Sequence, residues 1–377
     1  MAAAMDAFCQ AYFALMDALR RVQGDVFGAC GLGPVECSYR VLASGRHWRL
    51  RAYGEAGGRP PLLIVAAPIK RPYIWDLAPS RSAIRYCLSQ HLSVYLLEWL
   101  SPVRGQASAG LDAYAGEAIS ECLAKAGADT GGEEPYLMGH SLGGTLAAVH
   151  AALDPRGMRG LVLLGAPLRF HSGVSRFRDA LVSLVPSGLS EADVVPGSLL
   201  SQVSALASPS TFIWSRLMDA VLSLADPAAT AIHARVERWA LDEAALPSRL
   251  VHEIVDWLYR EDRFYHGTLA VCGREVGPSG LRLPTLMVIN TADEIAPPAS
   301  IAPFARAMPV GAAQVVKYTG ETGVGLQHLA ILVGHQAYAQ VWPKIISWLK
   351  APPDLAFPQR WLSIGAEEGR TTLMQVK

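Results

Sequence analysis

One stretch limits what this chain can fold into more than any other: Pro135-Tyr-Leu-Met-Gly-His-Ser-Leu-Gly-Gly-Thr-Leu-Ala147. An apolar run enters Gly-x-Ser-x-Gly and leaves straight into a helix-forming segment. A sharp strand-to-helix turn of this kind holds Ser141 in a strained backbone conformation with its hydroxyl exposed. Gly139 and Gly143 leave room for strand and helix to approach closely, which a Cβ would block. The N-terminus of the helix then offers the free N–H of Leu142 to a developing oxyanion. A Gly-rich turn whose serine only caps a helix is the plainer alternative. The strand before it and the small-residue helix after it argue against that.

The surroundings supply the sheet that such a turn needs. Leu62–Ala66, Ser93–Leu97, Tyr136–Met138, Leu161–Leu164, Leu286–Ile289 and Val315–Tyr318 are nearly continuous apolar runs. Runs of this type suit strands covered on both faces. The segments Arg81–Gln90, Ala113–Ala126, Gly144–Leu153, Pro298–Ala307 and Gln336–Leu349 have helical length and spacing. Alternation of the two implies a doubly wound, mostly parallel α/β sheet. Ahead of it, residues 1–60 read as a helix, Phe8–Val26, and a hairpin of Tyr39–Leu42 with Trp48–Tyr53. One connection breaks the rhythm. About 120 residues separate Leu164 from Leu286, far more than one crossover requires. The core is therefore expected in two parts, 61–170 and 281–350, around a helical cap insertion at 171–280. The tail, 351–377, is rich in proline and polar residues and is expected to be flexible.

Composition removes several function classes. Thirty-three basic residues balance 33 acidic ones, which argues against a nucleic-acid binder that grips phosphates. Apolar runs such as Val94–Leu97, closed by Glu98, fall far short of the ~20 residues that span a bilayer. No signal-peptide pattern opens the chain, so a cytoplasmic protein without integral membrane contact is expected. Six scattered cysteines (Cys9, Cys30, Cys37, Cys87, Cys122, Cys272) form no C-x-x-C pair. They read as buried small hydrophobes, and neither a metal nor a cofactor is expected.

A serine needs a base, and the base needs an orienting carboxylate. On this architecture the order is Ser, then acid, then His, with the last two after late strands. Asp293 follows Leu286–Asn290, and His328 follows Val315–Tyr318. Glu294 is the alternative acid, with a solvated loop charge as its plainer reading. His335 lies in the right region but reads as a surface or packing residue, and His140 as a residue that packs or hydrogen-bonds locally. His252 and His266 fall in the insertion and read as structural. Ser141, Asp293 and His328 are the expected triad. The second oxyanion donor is expected from the loop Ala66–Pro72; Pro68 has no N–H, which leaves the backbone of Ile69.

These residues resemble those of the polyhydroxyalkanoate synthases, acyl-transfer enzymes of the α/β-hydrolase fold that polymerise 3-hydroxyacyl-CoA. The likeness runs through Pro61–Val65, Ile69-Lys-Arg-Pro-Tyr73 with Asp76-Leu77, Val94–Trp99, Gly143–Leu146 and Leu164–Leu168. It continues through Leu258–Asp262 with Gly267–Leu269, Asp293–Pro297, His328, Leu332–Gly334 and Trp342-Pro343. It spans roughly residues 60–350, in order, and implies the same acid and base. In that family the nucleophile is a cysteine, where this chain has Ser141. A thiol of pKa ~8.5 is partly thiolate near neutrality, whereas a hydroxyl depends wholly on its base. The resemblance implies a hydroxyacyl ester or thioester as substrate, with CoA or a carrier protein as donor. The serine points to an esterase or thioesterase acting through an acyl-serine. The alternative is a synthase-like acyltransferase that passes the acyl group to a hydroxyl. A catalytically idle relative with a binding role is the third reading, and a homodimer is compatible with all three.

Overall fold

A strand buried on both faces needs no polar alternation, and the apolar runs above become such strands. In the computed structural model, which describes residues 2–54, 59–102, 108–185 and 194–351, an eight-stranded sheet forms the centre. Its strands are β1 (Tyr39–Ser44), β2 (Trp48–Tyr53), β3 (Pro61–Val65), β4 (Ser93–Trp99), β5 (Tyr136–His140), β6 (Gly160–Leu164), β7 (Thr285–Asn290) and β8 (Ala313–Tyr318). The spatial order is β1-β2-β4-β3-β5-β6-β7-β8. The hairpin β1–β2 joins antiparallel, and β2 meets β4 antiparallel; from β4 to β8 every pairing is parallel. All residues of β3 to β7 are buried.

The two sheet faces pack separate cores, because successive side chains of a strand point to opposite sides. Leu63, Val65, Leu137 and Met287 share one core with Ile119 and Leu146. Leu62, Ile64, Met138 and Val288 share the other with Ile84, Ile345 and Trp348. The covering helices are α2 (Ala83–Ser89), α3 (Ile119–Asp129), α4 (Ser141–Leu153), α9 (Pro298–Ala307) and α10 (Trp342–Lys350). Ser82 caps α2 by accepting the N–H of Arg85 at 2.9 Å. The helix expected over 336–349 is in two pieces, a wide turn Ala337–Val341 and then α10, with Pro343 in its first turn, where a missing N–H costs nothing.

Between β6 and β7 lie the helices α5 (Arg176–Leu184), α6 (Gly197–Ala207), α7 (Ser215–Ser223) and α8 (Pro227–Ala240). The N-terminal helix α1 (Ala2–Phe27) docks on this inserted segment. Arg20 pairs with Glu243 at 2.7 Å, and Asp17 accepts the N–H of Ser198 at 2.9 Å. Nothing in the spacing of α1 could name that partner. The cysteine reading needs correction: Cys87 and Cys122 are buried, but Cys9, Cys30 and Cys272 are exposed and Cys37 is half-buried. Those four sit on the N-terminal helix, its end and surface turns, where no core reaches them. Among the described residues, no helix is long and apolar enough to cross a membrane. The tail, apart from Ala351, lies outside the described residues.

Candidate active site

The turn after β5 has the expected strain. Ser141 stands at φ 55°, in the left-handed region that L-residues avoid. Close packing forces it. A Cβ on Gly139 would lie 2.6 Å from the backbone of Gly144, and one on Gly143 would lie 2.3 Å from the carbonyl oxygen of Val65. The helix start is thereby pressed against both its own strand and the end of β3. Every residue of α4 from Leu142 onward is buried, which makes Ser141 the half-buried tip of a rigid element.

The acid and base arrive on separate loops. Asp293 follows β7, and its Oδ1 accepts the N–H groups of Ile295 and Ala296 at 2.8 and 3.0 Å. Its Oδ2 meets Nδ1 of His328 at 2.6 Å, with both side chains buried. Burial pushes the Asp293 carboxyl up, but the facing imidazole and the two N–H groups outweigh it and hold the pKa below the usual value. With Nδ1–H donated to Asp293, the neutral ring presents its lone pair at Nε2. That atom is buried and has no hydrogen-bond partner among the described residues. His328 and Ser141 line one cavity of about 200 Å³.

Leu142 and Ile69 also line this cavity, as does Ala67, a loop residue the sequence reading passed over. The inserted segment supplies aromatic walls: Phe177, Phe212, Trp239 and Tyr259. Lys70 is one of several polar residues in the wall, with Arg71, Ser201, Ser204, Arg216 and Glu243. Its ammonium bonds to the carbonyl of Ala240 and to Glu243, and burial pushes its pKa down to about 8 against the opposing pull of Glu243.

Several weighed residues lie elsewhere. Glu294 accepts a hydrogen bond from the Thr211 hydroxyl of the inserted segment, and so is not on the base. His335 and His266 are exposed, and His252 pairs with Asp256 at 2.9 Å. His140 hydrogen-bonds far along the chain, where only a local bond or packing is expected. Its Nε2–H donates to the carbonyl of His328 at 2.8 Å, and the two rings sit 4.7 Å apart. Asn290 adds a second tie, donating to the carbonyl of Gln327 at 2.7 Å. Neither role has a signal in the sequence, because both partners are backbone carbonyls reached across about 190 and 40 residues respectively.

Burial pushes the His140 pKa down to about 3, with the neighbouring His328 adding to the effect. Between pH ~6.5 and ~3 the unfolded chain therefore binds a proton that the folded one refuses, and stability falls as pH falls. His140→Gln keeps a donor without a titrating ring. It is expected to lessen the acid destabilisation across that window by roughly 3–5 kcal/mol, read from denaturant unfolding at pH 7 and pH 3.5. Identical pH slopes for the two proteins would refute this.

The comparisons with known proteins agree with this fold. A family described as alpha/beta hydrolase fold matches residues 76–320, more than half of the chain. The chain is 28% identical over 292 residues to the poly(3-hydroxyalkanoate) polymerase subunit PhaC of Haloferax mediterranei, covering 76% of this chain and 58% of that protein. It is 28% identical to the protein of the same name in Allochromatium vinosum, covering 79% of this chain and 83% of that one. Among solved structures, the monoacylglycerol lipase of Paleococcus ferrophilus superposes with a TM-score of 0.52 at 16% identity. That superposition covers 80% of this chain and 98% of the lipase, a likeness of fold.

Proposed function

The chain belongs to the alpha/beta hydrolase fold family, and from that premise we propose that it transfers acyl groups through an acyl-Ser141 intermediate. The observation that carries this reading is the buried Asp293–His328 pair: Nε2 of His328 has no partner among the described residues, and His328 lines the same cavity as Ser141. In the proposed reaction Nε2 takes the Ser141 proton as Oγ attacks the acyl carbonyl. Asp293 stabilises the imidazolium, and the N–H groups of Leu142 and Ile69 receive the oxyanion. The C–S bond of a thioester then breaks, and the imidazolium returns its proton to the departing thiolate. Ser141 is left as an ester.

The acceptor decides what the enzyme makes. The relatives named poly(3-hydroxyalkanoate) polymerase support transfer to a hydroxyl over the hydrolysis expected from the serine alone. The substrate proposed here is therefore a 3-hydroxyacyl thioester of CoA or a carrier protein, and the acceptor a second hydroxyacyl group. A cavity of about 200 Å³ is below the ~300–1,000 Å³ of drug-sized sites and suits a short acyl chain. Hydrolysis stays as the second reading, favoured by Ser141 itself, since an acyl-serine is open to water wherever the aromatic walls part. A cytoplasmic location goes with the CoA substrate.

Product analysis separates the readings. Incubation with a panel of 3-hydroxyacyl-CoA thioesters is expected to give ester-linked oligomer or acylated acceptor; free acid alone would make the protein a hydrolase. No Ser141-dependent product of either kind would leave an idle relative. Trp239 gives a second check. It lines the cavity, and its indole N–H holds the carbonyl of Arg71 at 2.8 Å. Trp239→Ala removes wall and tie together, and KM is expected to rise about tenfold, the equivalent of roughly 1.4 kcal/mol of binding. An unchanged KM would remove Trp239 from the substrate wall.

A further inference from the structure

Surface helices usually face their charges outward and their apolar side inward. The wide turn Ser210–Trp214 and α7 after it do the reverse. Leu217, Met218, Val221 and Leu222 are 53–58% exposed. The two charged residues of this stretch, Arg216 and Asp219, turn inward. Arg216 pairs with Glu237 of α8, and Asp219 is 8% exposed. Apolar burial therefore contributes little to holding α7 in place; its polar bonds decide where it sits.

Those bonds reach the two loops that carry the acid and the base. Asp219 Oδ1 accepts the N–H of Gly323 at 2.8 Å. Its Oδ2 accepts the N–H of Gly325 at 2.7 Å and meets Nδ1 of His233 at 2.9 Å. Gly325 stands three residues before His328. Both glycines have left-handed backbones, at φ 82° and 71°, and a Cβ on either would press into α8, on Ala229 or Val236, at 2.8 Å. The base loop thus enters a slot that α7 and α8 form together. About two turns earlier than Asp219, the Thr211 hydroxyl donates to Glu294, next to Asp293. The same stretch supplies Phe212 and Arg216 to the wall of the cavity.

We propose that Asp219 is a positioning residue for acyl transfer. It holds the Gly323–Gly325 backbone so that His328 stays within reach of Ser141, while Thr211 steadies the acid loop through Glu294. The segment that covers the acyl group then also sets the base. This rests on Ser141, His328 and Asp293 being the reacting triad. Asparagine at 219 keeps the shape but has one oxygen, so Gly323 or Gly325 must face an NH2 group and loses its acceptor. A shift of about 1 Å at the base costs on the order of 100-fold in rate.

The test is a double-mutant cycle of kcat and KM on a short 3-hydroxyacyl-CoA, with Asp219→Asn, His328→Gln and the pair, using enzyme in excess for the slow variants. Asp219→Asn is expected to lower kcat about 100-fold with little change in KM. In the His328→Gln background it should cost less than about threefold more, because its effect passes through that ring. If the full 100-fold loss persists without the imidazole, or if only KM moves, Asp219 is merely part of the pocket wall, and the triad reading stands untouched. If His328→Gln alone turns over at the parental rate, the triad reading falls and this inference falls with it. Should Asp219→Asn fail to fold, Thr211 carries the same question. Thr211→Val should lower kcat about tenfold, with no further loss in an Asp293→Asn background, and Thr211→Ser should restore it. Full additivity there overturns the proposal.

Discussion

Ser141→Ala is expected to abolish turnover, by about six orders of magnitude in kcat, and to end labelling by a serine-directed phosphonate. The size follows from the chemistry: acyl transfer through a covalent intermediate has no path without the attacking oxygen. No nearby thiol can substitute, since Cys87 and Cys122 are buried in the cores and the other four cysteines lie away from the cavity. The loss should be purely chemical. Alanine meets the same left-handed strain at φ 55° as serine does, so thermal stability should change by no more than about 0.5 kcal/mol. Labelling at another residue, with Ser141→Ala at full rate, would end the proposal that this serine is the nucleophile.

The second large effect belongs to the pair behind it. His328→Gln removes the base. Asp293→Asn leaves a ring that can no longer donate Nδ1–H to a carboxylate, and so favours the tautomer with its proton on Nε2, where the lone pair is needed. Each change is expected to cost about four orders of magnitude in kcat, and the double variant little more than either alone, because the three residues act as one unit. Glu294 cannot rescue Asp293→Asn, as its carboxylate is engaged by Thr211 in the inserted segment. His335→Gln should be silent, the ring being exposed. A crippled His335→Gln beside a mild His328→Gln would transfer the role of base to the other histidine.

Two of the comparisons bear on how the acceptor should be viewed. The Haloferax relative is matched over only 58% of its length, so what its remaining residues contribute has no counterpart in the aligned region. The Allochromatium relative is matched over 83%. A polymer-forming activity, if product analysis finds it, would then reside in the portion both relatives share with this chain. The serine makes that outcome informative, because it would show that shielding the acyl-enzyme from water matters more than the identity of the nucleophilic atom.

The legible parts of this protein were those written in local pattern. Continuous apolar runs announce strands covered on both faces, and Tyr136–His140 running into Gly-x-Ser-x-Gly leaves Ser141 no ordinary backbone conformation. The order of Ser141, Asp293 and His328 follows from where a doubly wound sheet places the ends of its late strands, so chain position alone could select them. What the sequence could not express were bonds to backbone groups far along the chain. The hold of His140 on the His328 carbonyl, of Asn290 on Gln327, and of Asp219 on Gly323 and Gly325 involves partners that every residue carries, so no residue type marks them. The docking of α1 through Arg20 and Glu243 and the inward-facing charges of α7 were equally hidden, because amphipathic spacing says which side of a helix differs but not what lies against it. Local sequence determined the sheet, the strained turn and the identity of the three candidate groups. Only the tertiary structure decided how an imidazole and a hydroxyl come to face one cavity, with a carboxylate from a third segment behind the imidazole, since that depends on packing between segments whose separation in sequence carries no geometric information.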